Sequence, residues 1–377
     1  MADDRAMRES AESSITSISA DEAALYDRQI RLWGLDAQKR LRASRVLLVG
    51  LTGLGAEICK NIVLCGVKSL TLLDDEVVTM QDFTAQFLIP RMDLGKNRAE
   101  ACLVRAQRLN PMVEIKCDTE PVMKKSREYF EQFDVVILTG CVREVMIHVN
   151  TICHEKKIKF YAGDVFGYFG YTFNDLVEHK YVEEQKTSSG INLTVSEGPP
   201  AKKKPKQEEI HTIMVEKFLE FNSLKDALET SWVKNQKPKS LKRISKVFFI
   251  FQVLLRFQEK YRRNPEGSTS EQDIDDLLKM KNEVFESLDI SQDLVLEDFA
   301  RHCIGTLSPT SAILGGILAQ DVIKALSGKD APIDNFFFFD GRTGEGMIDP
   351  ANKMNFGHYN LQSKDNGLPP AELALAV

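Results

Sequence analysis

The chain has 377 residues, 43% hydrophobic and 28% charged, long enough for a core that buries most of its apolar surface and, by length alone, for two or three domains. A formal net charge of -6 and a pI near 5.7 exclude a dedicated nucleic-acid binder, because neutralising phosphates takes a basic surface. The most apolar run, VFFIFQVLL (Val247 to Leu255), falls well short of the ~20 residues that span a bilayer, and the N-terminus lacks the basic start and apolar centre of a secretory signal, so no membrane partner is expected.

In chain order, residues 1–22 read as a solvated tail. YDRQIRLWG follows (Tyr26 to Gly34), with an aspartate and two arginines between Tyr26 and Trp33; an aromatic at each end predicts a segment packed down with its arginines aimed. RVLLVG (Arg45 to Gly50) is a short branched apolar run of the kind buried on both faces of a parallel sheet. The turn LTGLG leads into AEICKNIVLCG, where Ile58, Ile62 and Leu64 to Cys65 recur at helical spacing until Gly66 stops the helix. SLTLLDD completes a βαβ unit and ends in Asp74 and Asp75. The helix GKNRAEACLVRAQRLNP, the strands VEIKC and FDVVILT, the helix REVMIHVNTICHEKK and then IKFYAGDVFGYFGYTF continue the alternation. They predict an α/β fold, a doubly wound sheet with helices on both sides, over 23–178.

Residues 183–209 are rich in Ser, Gly, Pro and Lys and poor in large apolar groups, which predicts a long disordered loop. They belong to an inserted, mainly helical segment, 179–305, with LKDALET, SKVFFIFQVLLRFQEKYRR and EQDIDDLLKMKNEVFESL. The α/β character returns over 306–350, with the helix PTSAILGGILAQDVIKALSG and the strand NFFFFDG, before a tail at 351–377. Gly315 and Gly316 inside that helix are expected to allow close packing against the sheet.

A Rossmann-type nucleotide loop uses glycines for a tight turn, for close approach of backbone to phosphate and for helix–sheet packing. Gly50, Gly53 and Gly55 are spaced G-x-x-G-x-G, and the Thr52 side chain sits where phosphate would approach. Two readings stand open: a nucleotide loop that has lost its ligand, or a plain strand-to-helix turn. Asp74 is open in the same way, as a ribose acceptor or a solvated strand-end carboxylate. There is no G-x-x-x-x-G-K-[ST] loop, no G-x-S-x-G elbow and no H-E-x-x-H helix. His148 and His154 are six apart and share a helix face poorly, so both are expected to be structural rather than metal ligands. The seven cysteines form no C-x-x-C pair and read as reduced intracellular thiols. Cys59, Cys65, Cys102, Cys117, Cys153 and Cys303 fall in apolar-periodic stretches, as core rather than nucleophile.

YDRQIRLWG, RVLLVGLTGLGAEICKNIVLCGVKSLTLLD, AQFL, GKNRAEA, LNP, GDVFGY and FFFFDG together, over nearly the whole chain, resemble the adenylation domains of ubiquitin-like-modifier activating enzymes, nearest to the small-subunit type of the SUMO branch. The resemblance implies a Rossmann-like adenylation fold of the ThiF/MoeB type and a heterodimer. In it the large catalytic subunit binds ATP and Mg²⁺, adenylates the C-terminal glycine of SUMO with release of pyrophosphate, and passes the modifier to its own cysteine. This chain has no candidate for that cysteine, so 179–305 corresponds to a half-domain without it. Residue by residue, the family's ribose aspartate falls on Asp74, its asparagine position on Asp82, and its arginine position on Ala85. Its phosphate-contacting lysine falls on Arg98, and its metal-associated aspartate on Cys141, followed by Val142. A thiol there offers magnesium no hard oxygen ligand, and with Thr52 these departures imply a pocket that adenylates nothing.

The resemblance also implies that an arginine of the inactive subunit enters the active subunit's ATP site, and it places that arginine at Arg28. A surface salt bridge is the other reading of Arg28, and an intrachain carboxylate pair is expected for Arg31. KKKPK (Lys202, Lys203, Lys204 and Lys206) matches a nuclear-import signal, implying a nuclear protein with some cytoplasmic presence, or else a solvated charge run. Three other readings fit these residues: a subunit for another ubiquitin-like modifier, a pure scaffold, and an NAD-type oxidoreductase.

Overall fold

The computed structural model describes residues 20–188, 210–229 and 244–349. Three short helices come first, α1 (Ala20–Leu25), α2 (Asp27–Trp33) and α3 (Leu35–Ala43). The βαβ unit is β1 (Arg45–Val49), α4 (Gly53–Cys65) and β2 (Ser69–Leu73), and Gly66 ends α4 in the left-handed conformation, as its position predicts. Then come α5 (Arg98–Leu109), β3 (Glu114–Asp118), β4 (Val135–Thr139), α6 (Arg143–Lys156), β5 (Lys159–Phe166) and β6 (Phe169–Asp175). The rest is β7 (Glu178–Ser188), β8 (Ile210–Glu220), α7 (Leu224–Glu229), α8 (Lys246–Tyr261), α9 (Ser270–Ser287), α10 (Ser308–Ser327), β9 (Phe336–Asp340) and β10 (Glu345–Asp349).

One eight-stranded sheet runs in the order β10-β9-β6-β5-β4-β1-β2-β3. The five strands from β5 to β3 are parallel, and β6, β9 and β10 are added antiparallel. Alternate side chains feed two cores, as the period of two requires. Leu47 and Val49 face one core while Val46 and Leu48 face the other; Phe336 and Phe338 part from Phe337 and Phe339 in the same way. This is the predicted α/β, doubly wound architecture.

Helices α8 and α9 of the inserted segment contribute to the first core directly. Phe251 packs against Tyr171 with ring centroids 4.3 Å apart, and Phe248 meets Phe338 at 5.9 Å. Most of α8 from Val247 to Gln258 is buried between the sheet and α9, while Lys246, Arg256, Glu259 and Lys260 stay exposed.

Two expectations need correcting. Residues 183–188, expected as loop, are the end of β7, which pairs with β8 in a two-stranded ribbon where Val182 faces Glu216 and Lys217 reaches Glu183 at 2.5 Å. Among its described side chains, β7 combines cross-strand charge pairs, Lys180 with Glu216 and Lys217 with Glu183, with the buried His179 and Tyr181. The remainder of that expected loop, 189–209, lies outside the described residues, as do Lys202, Lys203, Lys204 and Lys206 and most of both tails. The second concerns Gly315, which packs against α4 rather than the sheet: a Cβ there would lie 2.5 Å from Glu57 Cβ. A Cβ on Gly316 would meet nothing within 4 Å.

Candidate functional site

The chain reverses its direction of travel across the sheet between β1 and β4, and ligands of open α/β sheets bind in the crevice at such a switch point. A cleft of about 1070 Å³ lies there, with Thr52, Gly53, Asp82, Ala85, Arg98 and Gly140 among its lining. Helices α4, α6 and α10 all present their N-termini to it, through Gly53, Val142 and Ser308.

The glycines serve the turn. Gly50 has φ +85°, and a Cβ would sit 2.0 Å from the Thr139 carbonyl oxygen; one on Gly55 would sit 2.2 Å from the Gly50 carbonyl oxygen. Gly53 admits Ala85, whose Cβ lies 2.5 Å from where a Gly53 Cβ would stand. Thr52 caps α4: its hydroxyl accepts from the Gly55 N–H at 3.3 Å and lies 3.1 Å from the Thr139 hydroxyl. That cap takes a first-turn N–H, the kind of group that receives phosphate when a ligand binds a helix N-terminus.

Asp74 is buried rather than solvated, and it does not line the cleft. Its carboxylate accepts from Leu51 N–H at 2.6 Å and Glu76 N–H at 2.9 Å, with an Arg98 nitrogen 3.6 Å away. Burial pushes its pKa up, while Arg98 and the two backbone donors oppose that shift. Arg98 is also 3.3 Å from Asp82, whose other oxygen accepts from the Thr79 N–H and hydroxyl at 2.7 and 3.0 Å. The other cations of the cleft wall are likewise paired, Arg262 with Glu144 at 2.7 Å and Arg263 in a fork with Asp273 at 2.7 and 2.8 Å. Cys141 is absent from the wall; its thiol approaches the Thr139 carbonyl at 3.6 Å, and burial drives its pKa up. Three arginines and three carboxylates line this cleft, so it offers a triphosphate no net charge complement. The residues present do not fit Mg·ATP.

The opening segment lies at the other end of α4. Tyr26 is buried, Trp33 donates to Gln38 at 3.1 Å, and Gln29 donates to the Leu64 carbonyl at 3.2 Å. Arg31 pairs with Asp27 at 3.0 Å, as expected. Arg28 is exposed and, among the described residues, makes neither a salt bridge nor a side-chain hydrogen bond. The thirteen residues of α4 separate it from the cleft, which at 1.5 Å per residue is about 20 Å.

The remaining candidates fall where ordinary packing explains them. His148 is exposed, and His154 pairs with Asp175 at 2.8 Å. All seven cysteines are free; Cys59, Cys65, Cys102, Cys153 and Cys303 are buried, and burial raises the Cys59 and Cys65 thiols to about 12. Sequence reasoning missed Asn110 and Gln38 and read Gly66 only as a helix stop, although all three hold the Arg28 segment; the LNP run containing Asn110 and the stop at Gly66 were the visible signals.

The ThiF family model matches residues 26–356. The chain is 53% identical over 332 residues to SUMO-activating enzyme subunit 1 of Homo sapiens, covering 88% of this chain and 96% of that protein. It is 52% identical to the Danio rerio protein of the same name, covering 89% and 96%, and 51% identical to that of Xenopus tropicalis, covering 88% and 96%. With glycines spaced for its strand-to-helix turn, a cleft at the switch point and a match over most of its length, the chain belongs to the ThiF family.

Proposed function

We propose that this chain is the noncatalytic but required subunit of a SUMO-activating enzyme. Its partner is the large catalytic subunit, which binds ATP and Mg²⁺, adenylates the C-terminal glycine of SUMO and then carries the modifier on its own cysteine. The isolated chain is inactive. Its contribution is an interface and Arg28, whose guanidinium reaches the partner's ATP site and offsets charge on the phosphates as pyrophosphate leaves.

One observation carries this reading: Arg28 is exposed and unpaired among the described residues on an anchored helix, a full helix length from its own chain's cleft. An arginine so placed acts on another chain or on nothing. The paired arginines of the cleft and its lack of fit to Mg·ATP support the same assignment. Beside the Arg28 segment, Leu32 is 71% exposed, and Leu64, 44% exposed, lines a 270 Å³ groove with Trp33 and Gly316. Apolar surface of this kind suits a subunit seat. The choice of SUMO over another ubiquitin-like modifier rests on the names of the relatives. An NAD-type oxidoreductase loses its basis with membership of this family.

The test is Arg28→Ala in the assembled heterodimer. SUMO-dependent ATP–pyrophosphate exchange is expected to fall by about 10³, at the low end of what arginines supplied in trans contribute to phosphoryl transfer, with heterodimer formation unchanged by size-exclusion chromatography. Normal exchange would leave a scaffold role. For Lys202, Lys203, Lys204 and Lys206 we propose nuclear import, giving a nuclear protein with some in the cytoplasm. Replacing the four by alanine is expected to shift a fluorescent fusion of the chain, expressed without its partner, toward the cytoplasm; unchanged nuclear retention would end that assignment.

A further inference from the structure

Helix α2, which carries Arg28, has seven residues and buries none of them. Isolated helices shorter than about 12–15 residues are marginal in water, so its position is imposed from outside. The ties converge on the C-terminal end of α4, where a helix leaves its last carbonyls without intrahelical partners. Asn110 Nδ2 donates to the Val63 carbonyl at 3.0 Å, Gln29 Nε2 to that of Leu64 at 3.2 Å, and Gln38 Nε2 to that of Cys65 at 2.9 Å. Three consecutive carbonyls are thus capped by three amide side chains.

Each cap also holds one part of α2. Asn110 Nδ2 donates to the Tyr26 hydroxyl at 2.8 Å, at the start of the helix; Gln38 Oε1 accepts from Trp33 Nε1 at 3.1 Å, at its end; Gln29 belongs to α2 itself. Gln38 is fully buried and Asn110 nearly so. Gln38 needs a donor for the carbonyl and an acceptor for the indole, which a carboxylate or an apolar side chain cannot both supply. Gly66 completes the latch: a Cβ there would stand 2.5 Å from Tyr26 Cζ and Oη, so the ring lies where any other residue would put a side chain.

We infer that Tyr26, Gln38 and Asn110 are positioning residues for Arg28, an amide latch that fixes α2 on the end of α4 and so sets where the guanidinium enters the partner's site. This rests on the role proposed for Arg28. Catalytic groups displaced by about 1 Å lose about 10²-fold in rate, so loosening the latch is expected to act on the chemical step.

The experiment uses the full-length chain in its heterodimer and reads the single-turnover rate of SUMO adenylate formation at saturating ATP. Tyr26→Phe removes one hydroxyl and is expected to slow that step about 3- to 10-fold; Gln38→Leu removes both hydrogen bonds of its amide and is expected to slow it about 10- to 100-fold. Heterodimer yield and the KM for SUMO are expected to stay unchanged. In an Arg28→Ala background neither substitution is expected to slow the reaction further, because residues acting through Arg28 have nothing left to position. Wild-type rates in both variants, or losses that multiply with that of Arg28→Ala, would overturn the inference. Should Gln38→Leu fail to fold, Tyr26→Phe decides alone. A fast Arg28→Ala enzyme refutes the proposed function itself, whereas a slow one beside fast latch variants refutes only the latch.

Discussion

At the N-terminal end of α4, Arg98 sits between Asp74 and Asp82 and the Thr52 hydroxyl takes a first-turn N–H; at its C-terminal end, Arg28 stands exposed with no carboxylate partner among the described residues. An arginine from a neighbouring helix stands near each end of α4, and only one of the two is available. Availability is set by the neighbours. Asp27, next to Arg28 in sequence, is engaged by Arg31 one turn on, so the aspartate and second arginine of YDRQIRLWG leave the first arginine free. In the cleft no such diversion exists, and the buried Asp74 holds Arg98 inward.

Exchanging the two arginines' fates is the sharpest way to break this comparison. Arg28→Ala is expected to remove about 10³ from the heterodimer's adenylation while changing the stability of the isolated chain by less than about 0.5 kcal/mol, as exposed substitutions do. Arg98→Ala is expected to do the reverse. It leaves Asp74 buried beside no cation, and breaking a buried pair from one side costs about 3 kcal/mol, to be read by urea denaturation. A loss of adenylation with Arg98→Ala in a heterodimer that still assembles would mean that the cleft is a working site.

The Arg98→Ala penalty carries a pH signature. Burial already raises the Asp74 pKa against the pull of Arg98, and without Arg98 it rises further. A carboxyl whose folded pKa lies above its unfolded value stabilises the fold while protonated, and that contribution is lost as pH climbs through the folded pKa. The penalty is therefore expected to be larger near pH 7 than near pH 4.

Much of this was legible in the sequence because the signals were local. β1, β2 and β4 of the parallel sheet were short, largely apolar runs, the end of α4 was marked by Gly66, and the packed aromatics of YDRQIRLWG announced an anchored segment. What escaped depends on partners far apart in sequence. Asn110 reaches Tyr26 across 84 residues, and Gln38 reaches the Cys65 carbonyl across 27, contacts that no spacing rule encodes. Residues 183–188 escaped for another reason: they pair with β8 through the backbone as a polar strand, and composition alone reads such a stretch as disorder.

The pair Gly315 and Gly316 tests the open end on a smaller scale. Sequence gave both glycines one role, but the structure separates them: Gly315 faces Glu57 of α4, and Gly316 faces the groove beside Trp33 and Leu64. Gly315→Ala forces its new methyl against backbone-proximal atoms and is expected to cost about 1–3 kcal/mol, the usual range for overpacking. Gly316→Ala meets nothing within the chain and is expected to stabilise the isolated subunit by about 0.5–1 kcal/mol, because alanine gives up less backbone freedom than glycine in a helix. Differential scanning calorimetry of the isolated chain checks both. Titration against the large subunit then asks what the groove is for: if the partner's backbone closes on α10 there, the variant that is more stable alone binds more weakly, and equal affinity would place the contact elsewhere on this face.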